Sequence, residues 1–216
     1  MKITAIEKAK GDRYTVFVDG EYWYILDLEI ILQNSLKPGT ELEEEQLDDL
    51  KRQAERRTAR ERAYYLLGYR DHSRKELADK LLKSACPDVV EEILHLVESQ
   101  GYLNDEAYAG KLARYCLESK HWGARRAMAE LLRRGIDRET AQNAIEGCDT
   151  NPVAQIRAVI DRKYYGSLAD GDYKSRQKVI AALMRLGYGY GDIKQAISEY
   201  SSREEDEDES AWSEYE

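Results

Sequence analysis

From Ile3 to Leu26, apolar and aromatic residues alternate with polar ones around Gly11-Asp12 and Asp19-Gly20. Tyr14, Val16 and Val18, then Tyr22, Tyr24 and Leu26, fall on a period of two. This is the pattern of strands joined by tight turns, and it predicts a small β-ribbon of two or three strands. Asp27 can cap a short helix, Leu28 to Gln33, which the Lys37-Pro38-Gly39 turn ends. Thr40 and Glu43 have the spacing of a capping box, and the helix they open is expected to run to about Tyr69. Everything after this point reads as helix.

The helical part repeats. Ser73-Arg-Lys-Glu-Leu-Ala-Asp-Lys-Leu-Leu-Lys aligns with Gly123-Ala-Arg-Arg-Ala-Met-Ala-Glu-Leu-Leu-Arg and Ser175-Arg-Gln-Lys-Val-Ile-Ala-Ala-Leu-Met-Arg. The apolar columns are Leu77/Ala127/Val179, Ala78/Met128/Ile180, Leu81/Leu131/Leu183 and Leu82/Leu132/Met184. An i, i+1, i+4, i+5 stripe of this kind predicts one buried helix face. Gly135 and Gly187 close the second and third copies, where glycine suits a left-handed cap; the first copy has Ala85-Cys86-Pro87 instead. A short helix follows each stripe, anchored by Val90, Ile93, Leu94 and Val97, by Ala141, Ala144 and Ile145, and by Ile193, Ala196 and Ile197. Another precedes each, so the unit is three helices of roughly 50 residues.

Units of this size cannot bury their apolar stripes alone, and stacking gives them a continuous core. The expected fold is mainly α: an elongated, curved tandem array of three three-helix repeats, with a small N-terminal β-ribbon and a disordered acidic C-terminal tail. The divisions are 1–39 for the ribbon and short helix, 40–62 for a long connecting helix, 63–104, 105–150 and 151–200 for the repeats, and 201–216 for the tail. A charged fraction of 35% fits an extended, surface-rich shape.

Charge is unevenly placed. The net value is −9, but the segment from Arg203 onward carries eight acids against one arginine, −7, which leaves −2 elsewhere. Between Lys51 and Arg138, 19 Lys plus Arg face 14 Asp plus Glu, a balance of +5, so an anionic partner is compatible with an acidic chain. Three scattered cysteines, Cys86, Cys116 and Cys148, suggest neither a disulfide framework nor a thiolate metal site. With no apolar leader and no 18-residue apolar run, the chain is expected in the cytoplasm, away from the membrane. His72, His95 and His121 share no ligand spacing, and no phosphate loop or hydrolase motif occurs, so neither catalysis nor a cofactor is expected.

Three stretches carry a family resemblance. Leu66-Leu67-Gly68-Tyr69-Arg70-Asp71-His72-Ser73-Arg74-Lys75-Glu76-Leu77 resembles a signature of arginine, one or two residues, serine, then Glu-Leu. Gly101-Tyr102-Leu103-Asn104-Asp105-Glu106-Ala107-Tyr108-Ala109 is similar to the joint between first and second repeats, and Trp122-Gly123-Ala124-Arg125-Arg126 through Gly135-Ile136 to the second-repeat signature. The family is RecX, the regulators of RecA, and the resemblance spans about Ala63 to Tyr200. It implies a non-enzymatic modulator that lies in the groove of the RecA filament on single-stranded DNA, spans neighbouring subunits and damps ATP hydrolysis, strand exchange and the coprotease activity behind the SOS response, in DNA repair and recombination. The acidic tail departs from the more basic members and disfavours tight direct DNA binding. A monomer is expected.

Lys83, Arg133 and Arg185 share one repeat column, and Arg126 and Lys178 lie seven residues before the last two on nearly the same face. Cations at a helix C-terminus also complement the helix dipole, by about 0.3–1 kcal/mol. Arg125 and Arg126 stand at the opposite end, where the dipole opposes them, which makes them the stronger candidates. Arg125, Arg126, Arg133 and Arg134, with Lys83, Lys178 and Arg185, are the expected contacts with RecA or DNA, since a guanidinium grips carboxylate or phosphate oxygens in pairs. Lys51, Arg52, Arg56, Arg57, Arg60 and Arg62 form a second basic cluster, whose ordinary meaning is a solvated face with pairs such as Arg57 with Glu61. Trp122, Tyr64, Tyr65, Tyr108 and Tyr115 are expected in the core. The rival function is a nucleic-acid-binding repeat protein acting without RecA, because three-helix units resemble helix-turn-helix modules.

Overall fold

In the computed structural model, which describes residues 1–169 and 173–198, the chain forms two compact units, Met1–Asn104 and a second that begins at Asp105. The acidic tail expected from residue 201 lies outside the described residues.

The first unit opens with strands β1 (Ile3–Lys8), β2 (Arg13–Val18) and β3 (Glu21–Asp27), an antiparallel sheet in the order β1-β2-β3. Alternation buries Val16, Val18 and Leu26, but a register shift between Val16 and Phe17 bulges β3 at Trp23 and leaves Tyr22 exposed. Helix α1 (Leu28–Gln33) follows with Asp27 at its N-cap position, although the Asp27 side chain makes no capping hydrogen bond. Ile3, Val16, Leu26, Ile30 and Ile31 pack with Leu47, Leu50 and Ala54 of helix α2 (Glu44–Tyr69).

The capping box expected at Thr40 and Glu43 lies three residues later, between Glu43 and Gln46. Residues 40–42 are held extended on the β1 edge: the Ile3 amide donates to Thr40 O at 2.8 Å, Lys2 bridges Glu41, and the Leu42 amide donates to Met1 O at 2.8 Å. Backbone in that conformation cannot begin a helix, so the cap falls to the first residue free of the edge.

The rest of α2 packs through Ala59, Ala63 and Leu66 on α3 (Arg74–Leu81) and α4 (Pro87–Ser99), burying Leu77, Leu81, Val90, Ile93, Leu94 and Val97. Glu55, almost buried in α2, accepts the Cys86 amide at 2.8 Å and so satisfies the start of α4.

The second unit comprises α5 (Asp105–Arg114), which ends in a π-helical turn over Tyr115–Ser119, then α6 (Ala124–Arg133), α7 (Arg138–Glu146), α8 (Pro152–Lys163), α9 (Tyr165–Ala169), α10 (Tyr173–Arg185) and α11 over 190–198. Tyr108, Ala109, Ala113, Leu131, Ile136 and Ala141 form one core, and Ile156, Val159, Ile160, Val179, Leu183, Ile193, Ala196 and Ile197 another. Gly135 and Gly187 adopt φ of +86° and +94°, the left-handed caps read from the repeat. Among the described residues, no helix is long and apolar enough to cross a membrane.

Candidate partner-binding surface

The second helix of each repeat, α3, α6 or α10, buries its first and third apolar columns: Leu77, Ala127 and Val179, and Leu81, Leu131 and Leu183, are 0–2% exposed. Ala78, Met128 and Ile180 are half-buried. The fourth column departs from the expected buried face, since Leu82 is 48%, Leu132 40% and Met184 47% exposed. The reason is angular. At roughly 100° per residue, i and i+4 lie about 40° apart, whereas i+5 is about 140° from i and passes the edge of the face.

Each exposed apolar residue directly precedes a cation of the expected contact set. Lys83 is exposed in the turn after α3, in the first unit; Arg133 and Arg185 end α6 and α10, in the second. Arg133 is held in a fork on Glu130, Nε to Oε2 at 2.8 Å and Nη2 to Oε1 at 2.6 Å. Arg134 shares that carboxylate at 2.9 Å and approaches the Tyr108 hydroxyl at 3.5 Å. These bonds, that of Arg133 first, hold the Glu130 carboxyl below its ordinary pKa. Arg133 and Arg134 are thus part-neutralised, positioned groups rather than free charges.

Arg125 and Arg126 sit in the first turn of α6, both exposed, and no ion pair engages either among the described residues. Their setting differs from a bare helix N-terminus. The Gly123 amide donates to Leu186 O at 2.8 Å and the Arg125 amide to Gly187 O at 3.3 Å, so the donor end of α6 abuts the carbonyl end of α10. The carbonyl end carries partial negative charge, which offsets the dipole penalty on two cations. The Arg126 guanidinium also lies over the Trp122 ring, 4.1 Å from its centroid. The joint is tight: a Cβ on Gly123 would lie 2.3 Å from Gly187 C, and one on Gly187 2.5 Å from Arg126 N. Tyr188, 2% exposed, donates its hydroxyl to His121 O at 2.9 Å, and burial pushes its pKa up to about 12. Sequence reading missed this joint, because its partners are some sixty residues apart. The one local signal is that Gly123 replaces the capping Ser73 of the first copy.

On α10, Lys178 and Arg185 are exposed, and among the described residues no ion pair engages either. The basic cluster of α2 behaves largely as a solvated face: Arg57 pairs with Glu61 at 3.2 Å as expected, and also with Glu29 and Asp27, while Arg56 pairs with Glu92 at 2.8 Å. Tyr108 and, in part, Trp122 join the core, but Tyr64 at 37%, Tyr65 at 67% and Tyr115 at 49% exposure do not. Tyr65 lies off the buried Ala59-Ala63-Leu66 line and stacks under Arg62, 5.3 Å from its ring; Tyr115, where the π turn begins, carries Lys120 likewise at 5.3 Å.

Burial raises the thiol pKa of Cys116 and Cys148, which keeps them protonated and unreactive near neutrality. Among the described residues no group of His, Cys, Asp or Glu is arranged to hold a metal. In each unit these helices place guanidinium or ammonium groups beside exposed aliphatic side chains.

Comparison with known proteins agrees with this architecture. Family models match along the chain: the regulatory protein RecX N-terminal domain over 1–43, and the first, second and third three-helix domains of RecX over 59–95, 104–145 and 149–197. Regulatory protein RecX of Caldanaerobacter subterraneus is 28% identical over 196 residues, covering 89% of this chain and 96% of that one. The protein of that name from Bacillus subtilis is 27% identical over 208 residues, 94% of this chain and 77% of its own length. A crystal structure of regulatory protein RecX aligns at a TM-score of 0.63 and 22% identity over 90% of this chain and 98% of that one. That of RecX from Lactobacillus salivarius aligns at 0.61 and 24% over 67% and 96%. At these identities the structural likeness speaks for the fold alone.

Proposed function

The chain belongs to the RecX family, and from that premise we propose that it docks on the RecA filament assembled on single-stranded DNA and restrains it, damping ATP hydrolysis, strand exchange and coprotease activity. It acts as a cytoplasmic, monomeric regulator without chemistry of its own. The observation that carries this reading is the pair of exposed aliphatic residue and cation in every repeat: Leu82-Lys83, Leu132-Arg133 and Met184-Arg185. A sugar-phosphate backbone rewards the cation and gives nothing to leucine or methionine, whereas a protein surface rewards both. Three copies in one chain suit a partner that presents one surface many times, as a polymer of identical subunits does, and linked contacts reinforce each other through effective concentration. Arg125, Arg126, Arg134 and Lys178 add contacts around the same helices.

Restraint follows if the bound chain favours one state of the filament's ATP cycle, because a ligand shifts an equilibrium only through unequal affinity for its states. The test is titration against RecA ATPase on single-stranded DNA. Inhibition is expected, and Leu82→Ala/Leu132→Ala/Met184→Ala, with unchanged helix content, is expected to need at least about tenfold more protein, since losing about 1.4 kcal/mol of contact is tenfold in affinity. An unaltered ATPase at excess protein would defeat the proposal. Strong binding to bare single-stranded DNA that collapses with salt would instead favour the nucleic-acid reading.

A further inference from the structure

Helix α10 is the most one-sided element in charge among the described residues. Between residues 173 and 198 stand Lys174, Arg176, Lys178, Arg185 and Lys194 against Asp192 alone, and α10 itself contains no acid. At roughly 100° per residue, Lys174, Lys178 and Arg185 fall within about 40° of each other, and Val179 and Leu183 lie on the opposite side, buried. The three cations thus form a straight outward stripe about 16 Å long, given about 1.5 Å per residue. Among the described residues no ion pair engages any of them. An extended anionic segment would complement this stripe; Asp170 and Asp172, just before Lys174 in sequence, lie outside the described residues.

A few residues further on, the chain supplies such an anion: Glu204, Glu205, Asp206, Glu207, Asp208 and Glu209 are six consecutive acids. We propose that this acidic segment docks along the Lys174-Lys178-Arg185 stripe of α10 and competes there with the anionic groups of the chain's partner. Reach permits it. Helix α11 packs on α10 through Ile193, Ala196 and Ile197 against Val179 and Leu183, which puts the two axes about 8–10 Å apart. From residue 198 to Glu204 the backbone spans up to about 20 Å, enough to round a helix about 10–12 Å across, and 204–209 then extends over about 17 Å, the length of the stripe. Docking is self-limiting by salt, because exposed pairs are screened over about 8–10 Å at physiological ionic strength. The competition rests on the functional reading above in that Lys178 and Arg185 belong to the proposed contact set; the docking itself does not.

Two measurements without RecA test it on the full chain. The first is zero-length carbodiimide coupling of monomers in 50 mM salt, which joins a carboxylate to a lysine ammonium as an amide with loss of water, followed by peptide mapping. Amides from 204–209 to Lys174 and Lys178 are expected, reduced about fivefold or more in 0.5 M salt; Lys194 is too near in sequence to be diagnostic. The second is binding of a fluorescent (dT)20 probe in 50 mM salt to the variant carrying Glu204→Gln, Glu205→Gln, Asp206→Asn, Glu207→Gln, Asp208→Asn and Glu209→Gln. It is expected to bind about tenfold tighter than the parent, and Lys174→Ala/Lys178→Ala/Arg185→Ala is expected to erase that gain. Amides spread equally over Lys2, Lys8 and Lys10, a change under about twofold on neutralisation, or a gain that survives the triple alanine substitution would each overturn the proposal. An inert protein in the RecA assay, by contrast, leaves both measurements intact and strikes only the functional reading.

Discussion

Gly187→Ala combines two costs that can be separated. The residue has φ of +94°, where a Cβ costs about 1–2 kcal/mol in backbone strain. Its Cβ would also stand 2.5 Å from Arg126 N and 2.6 Å from Arg126 Cβ, so the start of α6 must retreat from the end of α10. Retreat breaks the bonds from the Gly123 amide to Leu186 O at 2.8 Å and from the Arg125 amide to Gly187 O at 3.3 Å. At about 1 kcal/mol each, and more if a buried donor is left unpaired, these bring the total to about 3–5 kcal/mol. Urea denaturation followed by Trp122 fluorescence, with Trp23 and Trp212 replaced by Phe, reads the second unit. With a slope near 2 kcal/mol/M, the midpoint is expected to fall by about 2 M. Gly101→Ala carries strain without crowding, since its φ is +76° and nothing lies within 4 Å, and should cost only about 1–2 kcal/mol. Gly123→Ala carries crowding without strain, at φ −73° and 2.3 Å from Gly187 C, and the two joint substitutions together should cost less than their sum. A Gly187→Ala cost no larger than that of Gly101→Ala would refute the joint as a close backbone contact.

Gly110→Ala, inside α5 with open space around its Cβ position, is expected to stabilise the second unit by about 0.5–1 kcal/mol in the same denaturation assay. Ser73→Ala removes a fully buried N-cap whose Oγ accepts the Glu76 amide at 3.1 Å, and should cost the first unit about 1–2 kcal/mol by urea midpoint. Burial lowers the pKa of His72 from 6.5, while the Arg70 carbonyl, 2.9 Å from Nδ1, opposes that shift. A lowered histidine pKa means that the unfolded chain takes up the proton first. Its stabilising effect is therefore full above about pH 6.5 and is lost as pH falls through the folded value. The first unit's urea midpoint, followed by Trp23 fluorescence, should drop between pH 7.5 and pH 5.5, and His72→Asn should flatten that drop.

The repeat and its buried columns were legible because each is local: a helix three turns long declares its face in its own residues, and three aligned copies declare it three times. Helix α1 and the end of α2 were legible for the same reason. The start of α2 was not, since Thr40 and Glu43 have the spacing of a box while β1, forty residues earlier, holds Thr40 in extended backbone. Tyr64, Tyr65 and Tyr115 misled because aromatic character favours burial on average, while helical phase decides it in each case. The favourable surroundings of Arg125 and Arg126 were invisible for a third reason: the compensating carbonyls belong to α10, remote in sequence.

Under the proposed function, the fourth apolar column separates structural from functional demands. Columns one and three are fixed by the core, where losing a leucine typically costs about 2–5 kcal/mol. The column at i+5 is only about half-buried, so packing demands less of it than of the core. Yet Leu82, Leu132 and Met184 are apolar in every copy, each beside a cation and each 40–48% exposed. Scattered surface leucines are ordinary, but the same exposure at the same position in three copies is not scatter. If stability set this column, Leu82→Ser, Leu132→Ser and Met184→Ser would lower the urea midpoints as core changes do. The angular position predicts shifts of only about 1 kcal/mol each, because about half of each side chain is already in water, with the larger loss appearing in partner binding.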